Sequence, residues 1–187
     1  VRAHNWLIYY FILTQLYSLK FKTIPILDVI VLGVLFTLRI IYGGYVTYTQ
    51  PSSWLMSLSL FFFVNLGLLK RATEVSLLKD VSIKKTTRGY MKEDLDIITV
   101  LGISSAMISV LIYVLYISSE RVRVLYVKPD LLWLVSPLLI YWVGRMWLMV
   151  KRGQMLYDPV MFTVKDKTSY VVFLLCVLII IKATIGG

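Results

Sequence analysis

The chain has 187 residues, of which 59% are hydrophobic, and its mean hydropathy is +0.80. A soluble domain of this length is closer to half apolar, so the composition indicates a protein that needs an apolar solvent around it. The formal net charge of +10 does not indicate a nucleic-acid partner, because the basic residues lie in short loops between apolar runs. One cysteine and one histidine provide no disulfide framework or zinc spacing, and they disfavour histidine-based catalysis.

Apolar segments follow one another along the whole chain, and a segment of ~20 residues crosses the hydrocarbon core of a bilayer as a helix. Six segments reach this length or nearly reach it, and the first is the shortest. They cover roughly residues 5–19, 25–42, 52–69, 95–117, 130–150 and 168–185. Pro137, in the middle of the fifth segment, should kink that helix. We predict a single all-α domain over 1–187, a polytopic membrane helix bundle of about six transmembrane helices.

The loops predict the orientation of this bundle. Thirteen Lys and Arg residues fall in the loops on one side of the predicted bundle, and five fall on the other. The positive-inside rule therefore assigns the first side to the cytosol, and we expect a multi-pass protein of the inner (plasma) membrane. Eight of the ten acidic residues also fall on that side, although the rule does not require them. A face dense in both signs indicates a site for a charged ligand.

The first candidate residues lie on the two N-terminal segments. Tyr17, Lys20 and Lys22 end the first segment, where a phenol and two ammonium groups could hold phosphate oxygens or could simply be lysines that snorkel to the interface. Asp28 and Arg39 are eleven residues apart on the second segment, which puts them on one helix face about 16 Å apart along the axis. Arg39 is deep in the span and should face the bundle interior or a wet cavity. A substrate-binding role and a purely structural one stay open for this arginine.

Further candidates follow on the same side of the bundle. One group combines hydrogen-bond donors with carboxylates and comprises Lys70, Arg71, Glu74, Asp80, Arg88 and Tyr90. This group could bind phosphate, or it could be an ordinary solvated helix end with a basic loop. Arg145 shares a helix face with Tyr141, and it could serve the site or snorkel from a position about one turn inside the boundary. Asp158 precedes a proline, which is typical of a turn before the last helix.

Several short motifs occur in a characteristic order. They are Tyr17-Ser-Leu-Lys20, Ile-Leu-Asp28-Val, Leu-Arg39-Ile, Leu-Leu-Lys70-Arg71-Ala-Thr-Glu74, Arg88-Gly-Tyr90, Asp158-Pro-Val-Met-Phe and Asp166-Lys-Thr-Ser169. Together they resemble the UbiA superfamily of intramembrane prenyltransferases. Within it they are most similar to the polyprenyl-phosphate phosphoribosyltransferases, of which the decaprenyl-phosphate enzymes are best known. The resemblance covers nearly the whole chain.

This resemblance implies nine transmembrane helices around a central cavity that is open to the lipid. It implies transfer of 5-phosphoribose from phosphoribosyl diphosphate to a polyprenyl phosphate, with release of diphosphate and a requirement for Mg²⁺. The product of this branch feeds cell-wall arabinan precursors. The partners implied are membrane lipids, polyprenyl phosphate and phosphoribosyl diphosphate.

Two departures from the family pattern limit what the resemblance implies. The six segments are similar to family helices four to nine, and the NDxxDxxxD motif that binds magnesium diphosphate is absent. We therefore expect a C-terminal fragment that is inactive alone, with most Mg²⁺ ligands outside this chain. The DxxxD motif of most family members is also absent, and Lys70-Arg71-x-x-Glu74 occupies its place. This difference favours a donor sugar and a monophosphate acceptor over an isoprenyl diphosphate donor.

We expect the site residues to divide between the phosphate groups of the substrates. Tyr17, Lys20 and Lys22 would hold phosphate or diphosphate oxygens. The 5-phosphate or the lipid phosphate would be held by Lys70, Arg71 and Arg88, and Glu74 and Asp80 would orient these cations or the ribose hydroxyls. Three alternatives stay open: a UbiA-type prenyltransferase with an isoprenyl diphosphate and an aromatic acceptor, a lipid or anion transporter, and a membrane subunit whose charges only set topology.

Overall fold

The computed structural model describes residues 2–49, 51–78, 86–155 and 158–186, with the backbone alone for 2–5. Throughout these ranges the chain is helical or in turns, and no strand occurs. The helices are α1 (Arg2–Leu19), α2 (Leu27–Val46), α3 (Ser53–Ser76), α4 (Leu95–Ile117), α5 (Glu120–Leu125), α6 (Val135–Lys151), α7 (Pro159–Lys165) and α8 (Lys167–Ile185). Short 3₁₀ turns cover Phe21–Thr23, Lys92–Asp94 and Pro129–Leu134.

The predicted helical membrane bundle is confirmed at the level of its helices. Five helical stretches are long and apolar enough to cross a membrane. They are Leu27–Val46, Ser53–Ser76, Lys92–Ile117, Pro129–Lys151 and Lys167–Ile185. The first predicted span falls short, because the apolar part of α1, Trp6–Leu19, has fewer than 18 residues. The prediction of about six spans therefore holds for five.

Helix α3 lies at the centre of the bundle and packs against α2, α4 and α6. On the α4–α6 side, Gly102 admits the indole of Trp147, because a Cβ at residue 102 would lie 2.0 Å from a carbon of that ring. The indole N–H of Trp147 donates to the side-chain oxygen of Asn65 at 3.0 Å, so a buried polar group on α3 is satisfied across the core. This packing fixes the helices whose ends carry the charged residues.

Successive long helices run in opposite directions, so α1, α3 and α6 end where α2, α4 and α8 begin. We call this the charged end of the bundle, and the opposite one the far end. Side-chain contacts across it connect residues distant in sequence, such as Asp28 with Arg71 and Lys151 with Asp96. These contacts bring the start of α2 to the end of α3 and the start of α4 to the end of α6.

Two details of the fold differ from the predictions. Pro137, predicted in the middle of the fifth segment, lies in the first turn of α6, because the 3₁₀ turn Pro129–Leu134 forms the beginning of that segment. At that position the N–H that proline lacks would have no intrahelical partner. Helix α3 also continues to Ser76, beyond the predicted end at residue 69, because its polar last turns pack Arg71 and Thr73 into the interior.

Candidate functional site

A buried carboxylate lies at the centre of the charged end. Asp28 is the second residue of α2 and is 0% exposed. One of its oxygens accepts from Nε of Arg71 at 2.8 Å, and the other accepts from the phenol of Tyr90 at 2.6 Å. Because each oxygen has a charged or polar donor, the cost of burying this carboxylate is offset. Asp28 thus joins the start of α2, the end of α3 and the loop after α3.

Arg71 contributes the cation of this network. Its side chain is 3% exposed, and its Nη1 donates to both carboxylate oxygens of Glu74 at 2.8 and 2.7 Å. Glu74 lies one turn further along α3 and is 35% exposed at its side chain. The guanidinium therefore bridges a buried carboxylate and a partly exposed one. Among the predicted site residues, Arg71, Asp28, Glu74 and Tyr90 are brought together most tightly.

Tyr90 reaches this network from the loop that precedes α4. Its phenol donates to Asp28 and accepts the backbone N–H of Ile26 at 2.6 Å. Burial, together with the hydrogen bond to the Asp28 carboxylate, raises the pKa of Tyr90 well above its ordinary value of 10. The phenol is therefore neutral at physiological pH and can donate to Asp28.

The cations at the rim are more accessible. Nη1 of Arg88 donates to the phenol of Tyr17 at 3.1 Å, and its guanidinium lies 5.9 Å from the centre of that ring. Lys20 and Lys22 follow Tyr17 at the end of α1 and are exposed. Tyr17 and Arg88, 71 residues apart in sequence, are therefore brought together, although the sequence analysis assigned them to different phosphate groups. We call Tyr17, Lys20, Lys22 and Arg88 the rim cluster.

A second pair connects α3 with α7. Nζ of Lys70 lies 2.6 Å from Oδ2 of Asp158, and Oδ1 of Asp158 accepts the backbone N–H of Val160 at 3.0 Å. Asp158 is thus the N-cap of α7, as expected for a residue before a proline at the first helical position. Burial alone would raise the pKa of Asp158, but the hydrogen bonds from Lys70 and Val160 outweigh it and lower that pKa.

Arg145 has a partner that the sequence analysis did not name as a site residue. Its Nη1 and Nη2 donate to the two oxygens of Asp166 at 2.6 and 2.9 Å. Asp166 also caps α8 by accepting from the backbone and hydroxyl of Ser169 at 2.8 and 2.7 Å. An aspartate three residues before a serine at a predicted helix start is typical of a helix N-cap, so the sequence indicated the capping role of Asp166. Nothing in the sequence indicated that Asp166 pairs with Arg145.

Arg39 does not belong to this site. It lies on the exposed α1–α2 face, where Nε and Nη2 donate to the phenol of Tyr10 at 2.9 and 2.6 Å. Its guanidinium also lies 5.0 Å from the ring centre of Phe36. The expectation that Arg39 faces the interior or a wet cavity is wrong for the described bundle. An aromatic shell, which spacing alone cannot reveal, holds this arginine.

The remaining site predictions concern Asp80 and magnesium. Asp80 lies outside the described residues. Within the part of the chain that the structure describes, no three His, Cys, Asp or Glu side chains are grouped so that they could hold a metal ion.

The fold and this charged end define a class: a helical membrane bundle with a network of ion pairs at one end. The chain is 39% identical over 166 residues to the uncharacterized protein y4nM of Sinorhizobium fredii. The aligned region covers 86% of this chain and 32% of that protein. It is also 26% identical over 170 residues to the nodulation protein NoeC of Azorhizobium caulinodans, and this aligned region covers 88% of the chain and 54% of NoeC. The chain therefore spans about a third to a half of these relatives. No family model and no solved structure matches it.

Proposed function

We propose that this chain is part of a membrane-embedded transferase that moves 5-phosphoribose from phosphoribosyl diphosphate to a polyprenyl phosphate. The observation that carries the proposal is the contact between Arg88 and Tyr17, which brings together donors from two separate motifs of the UbiA-like pattern. The resemblance in motif order supports the choice of reaction. The name of the NoeC relative points to nodulation and specifies no reaction.

In the proposed site Tyr17, Lys20 and Lys22 bind the diphosphate of the donor as expected. Arg88, expected beside the 5-phosphate or the lipid phosphate, is assigned to the diphosphate instead, because it contacts Tyr17. The ammonium and guanidinium groups of the rim cluster are accessible to an anion and form charge-assisted hydrogen bonds to phosphate oxygens.

Lys70, which is 46% exposed at its side chain, binds the 5-phosphate or the lipid phosphate beside Asp158. Arg71 is nearly enclosed by Asp28 and Glu74, so its contribution is to hold the surrounding chain and to place the partly exposed Glu74 near the ribose hydroxyls.

The proposed reaction needs few proton transfers. A phosphate oxygen of the lipid attacks C1 of the ribose, the bond between C1 and the diphosphate oxygen breaks, and diphosphate leaves with the electron pair. The attacking oxygen is already an anion at neutral pH, so no general base is required. The work of the protein is then to neutralise the departing charge, align the two substrates and exclude water. Magnesium would assist departure of the diphosphate, and we propose that its ligands lie outside the described residues.

We further propose that the charged end faces the cytosol from the inner (plasma) membrane. Thirteen of the twenty Lys and Arg residues lie in the predicted loops of this side, which supports that orientation by the positive-inside rule. Phosphoribosyl diphosphate, a soluble and highly charged sugar phosphate, would then reach the site from water, while the lipid phosphate arrives along the membrane.

The test compares cation removal at the two ends of the native protein, purified in lipid nanodiscs. Lys20→Ala should weaken the binding of phosphoribosyl diphosphate by about tenfold or more, because a charge-assisted hydrogen bond contributes about 1.5–3 kcal/mol. Lys128→Ala removes one exposed cation from the loop before α6 at the far end and should leave the affinity unchanged. Transfer of labelled phosphoribose to polyprenyl phosphate is measured in the same samples. Equal affinities in both variants, or no transfer by the native protein, would contradict the proposal.

A further inference from the structure

We propose that Tyr90 is a positioning residue whose phenol fastens the loop Thr86–Tyr90 to the start of α2 and thereby presents Arg88 to Tyr17. The part of this inference that concerns substrate rests on the proposed function. The part that concerns the loop stands on geometry alone. Tyr90 is 1% exposed and its hydroxyl already donates to Asp28 and accepts from Ile26, so it is not available to a ligand.

The first support is the strained turn to which Tyr90 binds. Ile26 has a φ of +68° and a ψ of −47°, and the N–H of Leu27 donates to the carbonyl of Pro25 at 2.8 Å. These features define a γ-turn with a left-handed central residue, a form that is rare and strained. A β-branched residue at positive φ persists only where the surroundings enforce it. The N–H of this residue is the group that donates to the Tyr90 phenol.

The second support is the internal order of the loop. The N–H of Thr86 donates to the carbonyl of Tyr90 at 2.8 Å, and the Tyr90 N–H donates to the Thr86 hydroxyl at 3.1 Å. Gly89 has a φ of +86°, and a Cβ there would lie 2.8 Å from the carbonyl oxygen of Thr23. Glycine therefore permits both the left-handed turn and the close approach to the segment before α2. Arg88, which comes directly before this glycine, is held in a closed and docked loop.

The third support is the rigidity of the anchor. Asp28 is completely buried, and Arg71 occupies its other oxygen at 2.8 Å. Since Arg71 is itself fixed by Glu74, the carboxylate that accepts from Tyr90 cannot turn away without leaving a buried charge unpaired. The phenol thus joins two fixed points, the strained turn and the ion pair. Its removal should free the loop while the helices stay in place.

The loop is tested by hydrogen exchange in the native protein in nanodiscs. Tyr90→Phe keeps the ring and removes both phenol hydrogen bonds, so amide exchange in residues 86–91 should accelerate about tenfold or more. Tyr113→Phe is the matched control: it removes one phenol hydrogen bond, to the carbonyl of Leu132 at 3.0 Å, at the far end of α4. This control should leave exchange in 86–91 unchanged.

A second variant tests the role of the strained turn. Adding Ile26→Gly to Tyr90→Phe supplies a residue that adopts positive φ without a steric penalty, so exchange at residues 26–28 should be slower than in Tyr90→Phe alone. Exchange in residues 86–91 should stay fast, because both phenol hydrogen bonds are still missing. Unchanged exchange in residues 86–91 of Tyr90→Phe would overturn the inference. Acceleration of the same size throughout the helices would also overturn it, because Tyr90 would then be a general core residue.

The substrate arm measures whether Tyr90 acts through Arg88. Tyr90→Phe should raise KM for phosphoribosyl diphosphate about tenfold and change kcat by less than about threefold. In an Arg88→Ala background it should raise KM little further, because the group that it positions is gone. Additive effects would overturn the positioning role. If the native protein neither binds nor uses phosphoribosyl diphosphate, the proposed function fails, while the exchange experiment still decides whether Tyr90 fastens the loop.

Discussion

Two ion pairs at the charged end use the same chemistry in opposite surroundings. Arg71 and Asp28 lie 2.8 Å apart with side chains that are 3% and 0% exposed. Lys151 and Asp96 lie 3.1 Å apart with side chains that are 59% and 89% exposed. The distances hardly differ, but water and salt screen only the second pair, whereas loss of either partner strands a buried charge in the first. Removal of one partner should therefore cost far more stability in the buried pair than in the exposed pair.

The largest loss of stability is expected when the buried cation is removed. Arg71→Ala leaves Asp28 without its charged partner, and we expect a loss of about 3–5 kcal/mol in the free energy of unfolding. For a protein of this size that corresponds to a fall in Tm of roughly 10 °C. Thermal unfolding in detergent micelles measures it, with the exposed Arg152→Ala at the end of α6 as the control. A loss below about 1 kcal/mol would show that the buried pair contributes little.

The convergence of charges on one surface could be predicted from sequence, because it requires only helix length, alternating direction and loop composition. Helix α4 was predicted at 95–117 and is observed at Leu95–Ile117. Its bounds could be predicted because its apolar run is continuous and has charged residues near both ends. These features depend on patterns along the chain.

The pairing of side chains across helices could not be predicted in this way. The helical period placed Asp28 on the same face as Arg39, but Asp28 meets Arg71, which is 43 residues away. The choice depends on how α2 and α3 are rotated against each other, and a single sequence does not give that rotation. The hydrogen bond from the Ile26 N–H to the Tyr90 phenol could not be predicted for a similar reason, since a positive φ at isoleucine is enforced by tertiary contacts.

An intermediate effect is expected where burial is partial. The pKa of Asp166 lies below its ordinary value of 3.8: burial would raise it, but the hydrogen bonds from Arg145 and Ser169 outweigh burial. A carboxyl group with a lowered pKa in the folded state stabilises the protein at any pH above its unfolded-state pKa. This stabilisation should decline as the pH falls below about 4 and should vanish once the pH is below the folded-state pKa.

The measurement compares native protein and Asp166→Asn by their Tm between pH 3 and pH 7. The native protein should be the more stable at neutral pH, and the difference should narrow on acidification as Asp166 takes up a proton. The Asn variant keeps most of the size of the side chain, so the comparison isolates the charge. A difference that stays constant across this range would mean that the ionised carboxylate is not what stabilises the start of α8.

The smallest loss of stability is expected at the exposed pair. Because the N–O distances of the two pairs are similar, this variant shows how much of the difference in stability comes from burial. Lys151→Ala removes the ammonium that donates to Asp96, yet both groups stay fully hydrated when separated. We expect a change below about 0.5 kcal/mol, which should disappear in 1 M salt because the Debye length there is about 3 Å. The Tm of this variant at low and high salt measures both points. A loss approaching that of Arg71→Ala would mean that distance, and not burial, determines the strength of these pairs.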